Sequence, residues 1–134
     1  MNQTIERTAL SNLVSNEEYC RKVLPFIKPD YFSIREERIV FEEITNFVDK
    51  YRKMPTKISL EIEVETRKDL NETEHQKIVD IIKTLDATDV DMEWLVDTTE
   101  KFCKDKAIYN AIVDGISIID GKDKNRGADA IPSL

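Results

Sequence analysis

Apolar residues recur along this chain at intervals of three and four, the period of an α-helix that buries one face. The longest such stretch runs from Asp91 to about Ile119. Within it Leu95, Phe102, Tyr109 and Ile116 fall seven apart, and Thr98, Ile112 and Ile119 take the interleaved positions, with Asp105 as the one charged break. A seam kept over about four heptads predicts a helix that packs along another helix. At 1.5 Å per residue it would be about 40 Å long. A small body cannot cover that length, so part of the seam is expected to meet a helix from another chain.

Five shorter elements precede it. Ile5, Leu10, Leu13 and Val14 mark a helix from about Gln3 to Val14. Ser15 or Asn16 then caps a second one, with Glu17 and Glu18 in the first turn, where the helix dipole favours acids. Pro25 ends it near Leu24, Pro29 marks a turn, and Tyr31 and Phe32 read as buried anchors. Ser33 followed by Glu36 has the spacing of a capping box. The helix it would start shows Phe41, Ile44, Val48 and Tyr51 on one face and stops before Pro55. Leu60, Ile62 and Val64 alternate as a strand would. A lone strand among helices would leave its backbone unpaired, so a short fourth helix from near Ser59 is the better reading.

Asn71 and Glu74 form a second capping box, and Ile78, Val79, Ile81, Ile82 and Leu85 give the fifth helix its core face. The connection from Asp86 to Val90 is short, which predicts that the last two helices run antiparallel as an αα-hairpin. The expected fold class is therefore all-α: a body of about four helices, a C-terminal hairpin, and then a linker. Residues 1–120 form the helical domain in this reading. Residues 121–134 begin as the polar run Gly-Lys-Asp-Lys-Asn-Arg-Gly and end on Ala-Asp-Ala-Ile-Pro-Ser-Leu. That ending reads as the start of a docking element in which Ile131, Pro132 and Leu134 would make the contacts.

Composition narrows the function. A net charge of −7 argues against general nucleic-acid binding, which needs clustered Lys and Arg. The one basic cluster, Lys122, Lys124 and Arg126, is small and interrupted by Asp123. Cys20 and Cys103 lie far apart and read as ordinary core thiols of a reducing cytoplasm. No signal peptide and no apolar run long enough to span a bilayer are seen, which predicts a soluble cytoplasmic protein with no membrane partner.

No motif for chemistry stands out. The chain has neither GxxxxGK[ST] nor GxGxxG, so no short phosphate-binding loop is present. His75 is the only histidine and lacks convergent partners for a base or metal role. Asp86, Asp89 and Asp91 resemble a fragment of a calcium loop without its central Gly and terminal Glu. The paired glutamates read as solvated helix faces. No catalytic, cofactor or metal site is assigned. Trp94 reads either as a core residue at the base of the hairpin or as an interface anchor. Phe102, Tyr109, Ile112, Ile116 and Ile119 lie farther along the seam and are candidate subunit-interface residues with Trp94.

A larger pattern then emerges. Glu18-Tyr19, Val23-Leu24-Pro25, Asp30-Tyr31-Phe32, Phe41-x-x-Ile44, Pro55, Thr73-Glu74, Trp94-Leu95-Val96, Thr99-Glu100-Lys101-Phe102, Ala107, Asn110-Ala111 and Ala130-Ile131-Pro132 stand in order. Taken together they resemble the N-terminal domain of phage replicative DNA helicases of the T-even type, in the DnaB-like family. The resemblance covers nearly the whole chain, and no single motif in it is diagnostic. It implies a non-catalytic domain that pairs hairpins with its neighbours in a hexameric ring and helps to recruit primase. ATP and Mg would then belong to a separate motor domain, DNA would be met only through the full ring, and the linker would lead to a helix docked on a neighbouring motor. A free-standing adaptor or helicase loader is the alternative reading, and a small carboxylate enzyme a third.

Overall fold

The computed structural model describes the backbone from Asn2 to Ile119 and the side chains of residues 4–116. The described chain is all helical: α1 (Asn2–Ser15), α2 (Glu17–Val23), α3 (Arg35–Tyr51), α4 (Lys57–Glu65), α5 (Glu72–Lys83) and α6 (Met92–Ile119). Two short 3-10 turns, Leu24–Phe26 and Pro29–Tyr31, join α2 to α3. They are the response of the chain to Pro25 and Pro29, which fix φ and supply no N–H for a longer helix.

Local capping sets most helix starts. The Asn16 side chain accepts from the Tyr19 N–H at 2.9 Å, and Glu17–Arg21 and Glu18–Lys22 pair along α2. Asn71 and Glu74 cap one another's backbone at the start of α5, as their spacing predicted. Thr56 and Ser59 do the same for α4, so that helix begins at Lys57. Burial of Leu60 and Val64 with exposure of Ile58 and Ile62 is the i, i+4 pattern of a helix, and the strand reading is set aside.

The capping box expected at Ser33 and Glu36 is not formed. Ile34 occupies the position before α3 and makes no side-chain cap. Ser33 is drawn instead to Glu6 of α1: its N–H donates to Oε1 at 2.7 Å and its hydroxyl to Oε2 at 3.1 Å. Glu6 is fully buried, so a long-range carboxylate outcompetes the local cap.

The expected α5–α6 hairpin is also replaced. Among the described residues α5 lies against α3 and α4, whereas α6 lies against α2, α1 and the turn at Pro29–Tyr31. The connection between them explains the separation. Leu85 is buried, Thr84 Oγ1 accepts from Arg7, and Thr88 Oγ1 accepts from Asn12 at 2.8 Å. Lys57 holds Asp86 at 2.6 Å. The connection is thus pinned onto α1 and carries the chain across it, where a free short turn would have reversed it. Asp91 then accepts from the Trp94 N–H at 2.9 Å and starts α6.

α1 consequently stands inside the body. Ala9, Leu10, Leu13 and even the polar Ser11 and Asn12 are buried. The core around it takes Tyr19 and Val23 from α2, Phe41 and Ile44 from α3, Leu60 and Val64 from α4, and Ile78 and Ile82 from α5. Phe32 packs on Phe41 with ring centroids 5.1 Å apart. Arg67 closes the other side of the body, reaching Glu43 at 3.0 Å and Asp69 at 2.8 Å. That bridge holds the Asp69 carboxyl down at about 2.

Two acids of this body are open to test. Replacing Glu6 with Ala leaves the Ser33 donors without their acceptor and should cost about 1–3 kcal/mol, read as a lower urea midpoint at unchanged m-value. Glu37 is buried and paired with Arg7 at 2.8 Å, yet its Oε1 has no partner among the described residues, and burial raises its pKa above the usual carboxylate value despite Arg7. A raised folded pKa means that the folded state holds the proton more tightly. Its contribution is therefore fullest below the unfolded pKa near 4.5 and is lost as pH rises through the folded pKa. Urea titrations at a series of pH values should show the wild type losing stability relative to Glu37→Gln across that window. A constant difference would contradict this.

Candidate assembly surface

α6 is 28 residues long and has two dissimilar halves. Its first half is built into the body. Leu95 and Thr99 are fully buried, and Phe102 and Cys103 nearly so. The Tyr19 hydroxyl and Thr99 Oγ1 share a buried hydrogen bond of 2.7 Å, which joins α2 to α6. Burial pushes the Tyr19 hydroxyl up to about 12 and the Cys103 thiol up to about 11; the Thr99 bond partly offsets the first. Both groups therefore stay neutral in neutral solution. Cys20 is buried as well, its thiol raised by the same cause.

The second half runs past the body. The Asn110 amide touches the Asp30 carbonyl at 3.5 Å, a marginal contact. Around and beyond it Ile108 (61% exposed), Tyr109 (61%), Ile112 (55%), Val113 (43%) and Ile116 (52%) face solvent. At 3.6 residues per turn these five fall within an arc of about 140°. Five large apolar side chains on one face of a helix, each about half exposed among the described residues, form a contiguous apolar patch of the kind that marks interaction sites.

The candidate interface residues thus divide. Tyr109, Ile112 and Ile116 are on this open face. Trp94 is 55% exposed near the start of α6, so it is not the core residue that one reading made it. Phe102 is corrected: at 8% exposure it belongs to the core of its own chain, because α6 leans on α1 and α2 farther along than the heptad pattern suggested. Ile119 closes α6, but its side chain lies outside the described residues, as do Ile131, Pro132, Leu134, Lys122, Lys124 and Arg126. Ile108 and Val113 were missed. A strict heptad omits both, whereas the three-four spacing from Ile108 to Ile112 and from Val113 to Ile116 would have found them.

Two clefts flank these elements. One of about 420 Å³ lies between α2 and the end of α3, floored by Cys20, Leu24, Val48 and Met54 and rimmed by charges of both signs. The other, of about 810 Å³, runs beside α6 and is lined by Ile5, Ser33, Thr98, Lys101, Asp105 and Tyr109 among others. Among the described residues no group of three or more His, Cys, Asp or Glu side chains is placed to hold a metal ion. No described helix is long and apolar enough to cross a membrane.

The division of α6 predicts opposite responses to truncation. In dilute chain, Leu95→Ala should cost about 2–5 kcal/mol, because it opens a cavity in the core. Ile112→Ala should stay within about 0.5 kcal/mol of wild type. Denaturant unfolding measures both, and equal losses would contradict the division.

The chain was also compared with known proteins. Residues 1–98 match the family model of the DnaB-like helicase N terminal domain. Over 102 residues the chain is 30% identical to the DnaB-like replicative helicase of Enterobacteria phage T4, a match that takes in 76% of this chain and 21% of that relative. The chain thus spans about a fifth of the relative's length. The family match ends in the second turn of α6, just before Thr99, so it rests on the body and not on the open face. With the match covering most of the chain, and an all-helical body to carry it, the chain belongs to the family of DnaB-like helicase N-terminal domains.

Proposed function

We propose that this chain is the non-catalytic assembly domain of a hexameric replicative DNA helicase, joining subunits through α6. The observation that supports this most is the open apolar face at Tyr109, Ile112 and Ile116, which the chain's own body does not cover. Burying it against another subunit removes apolar surface from water, the usual driving force of stable association. A rigid helix fastened to the body at Leu95, Thr99 and Phe102 presents that face at little entropic cost.

Family membership supports the rest of the reading. The relative from phage T4 is named as a replicative helicase, and this chain would serve the same kind of machine. ATP, Mg and the unwinding step would reside in a motor domain separate from these residues. Primase would be recruited by the assembled domains, and DNA would be met by the ring as a whole. The net charge of −7 agrees with a domain that does not itself grip phosphates.

The test is self-association of the 134-residue chain. Light scattering across a concentration series should show wild type gaining mass, and Tyr109→Glu/Ile112→Glu should remain monomeric with unchanged helical circular dichroism. A folded double variant that associates as tightly as wild type would place the interface elsewhere.

A further inference from the structure

Trp94 is the only tryptophan of the chain, and it is 55% exposed. Its backbone is held in place: Asp91 accepts from the Trp94 N–H at 2.9 Å, and the next residue, Leu95, is fully buried. The indole is therefore presented from a fixed helix start and not from a loose loop. Val90, just before the capping Asp91, is exposed as well. An exposed Trp on a fixed backbone is the residue type that most often anchors a protein contact. Ile108, where the open apolar face of α6 begins, lies about 21 Å farther along the helix, so Trp94 is a patch of its own.

The charge around the indole says what covers it. Residues 86–100 hold Asp86, Asp89, Asp91, Glu93, Asp97 and Glu100, and neither Lys nor Arg. Three of these acids have work within the fold. Lys57 of α4 holds Asp86, Asp91 caps α6, and Glu93 lies in the first turn, where the helix dipole favours an acid. Asp89, Asp97 and Glu100 lie outside that turn. They are exposed, and among the described residues they join no ion pair within the chain. The nearest bases along the chain, Lys83 and Lys101, stand beyond the two ends of the segment, and Arg7 of α1 is engaged with Glu37 and Thr84.

We propose that Trp94 anchors a basic segment of a different protein, with an Arg or Lys side chain laid on the indole and neighbouring bases paired with Asp89, Asp97 and Glu100. Trp is the best ring for a cation–π contact, and Arg is the cation that most often makes one. The same charges disfavour other occupants. Two copies meeting symmetrically at this patch would set one acidic segment against another, and like charges across an interface are penalised. Nucleic acid and an anionic membrane surface are repelled for the same reason. The start of α6 and its open second half thus serve different partners, and neither contact depends on the other.

The test uses the 134-residue chain and a fluorescein-labelled oligo-arginine peptide as the probe. Because Trp94 is the only tryptophan, its emission reports the contact directly. The peptide should quench it to saturation, and added salt should weaken the binding. Peptide anisotropy then compares variants whose helical circular dichroism is unchanged. Trp94→Ala and Asp97→Asn/Glu100→Gln should each lower the affinity on the order of tenfold. Glu61→Gln/Glu65→Gln on α4 removes the same amount of charge elsewhere and should leave the affinity within about twofold of wild type. Equal losses in the two paired variants would mean attraction to net charge alone and would overturn the site. So would unquenched Trp94 emission, or an affinity that Trp94→Ala leaves as it was. Light scattering separates this contact from self-association: Trp94→Ala should associate with itself as wild type does. A loss of self-association in that variant would assign Trp94 to a contact between copies and overturn the proposal.

Discussion

The structure turns on a mismatch of lengths. α6 has 28 residues, about 42 Å of helix, and the body built from five shorter helices is too small to flank all of it. The chain uses the first half of α6 as a core element, and among the described residues the second half meets the body only at its edge, near Asp30. Leu95, Thr99 and Phe102 are core residues, whereas Tyr109, Ile112 and Ile116 are each more than half exposed. Five exposed apolar side chains on one arc lower solubility. Such an arrangement persists when the surface is covered in use.

The fastening of the first half is as informative as the freedom of the second. α1 packs against α2, α3 and α6 and is tied to the connection after α5. Glu6 reaches Ser33 before α3, Arg7 reaches Glu37 within α3, and Asn12 reaches Thr88 in the connection to α6. These polar links run between segments distant in sequence, and each joins a buried group to its partner. They fix register where apolar packing alone would tolerate sliding. The Tyr19–Thr99 bond extends the same device to α6. The angle at which the open face leaves the body is thereby set by the fold.

Much of this was legible in the residues. Periodicity and capping located six helices, because those signals are local: Asn71 and Glu74 are three residues apart and need no tertiary context. Legibility failed where a distant partner won. Ser33 looked like a cap and became a donor to Glu6, which lies 27 positions away. The connection after α5 looked like a tight reversal and became a strap across α1, since nothing in Asp86 to Val90 announces Asn12 or Lys57 as its anchors. On α6 the heptad showed that a seam exists but not where the body ends along it. Phe102 and Tyr109 are equivalent in the pattern and opposite in the structure. That boundary is a property of the folded body, to which α1 and α2 contribute as much as α6 does.

The most direct test of the account is hydrogen exchange along α6 as a function of protein concentration. The amides of residues 95–103 sit in the core, and their protection should not depend on concentration. Those of residues 108–116 belong to a helix with little packing of its own. They should exchange rapidly in dilute solution and become protected, residue by residue, as concentration rises. Protection in that half that is the same at every concentration would contradict the claim that α6 is completed by another copy of the chain.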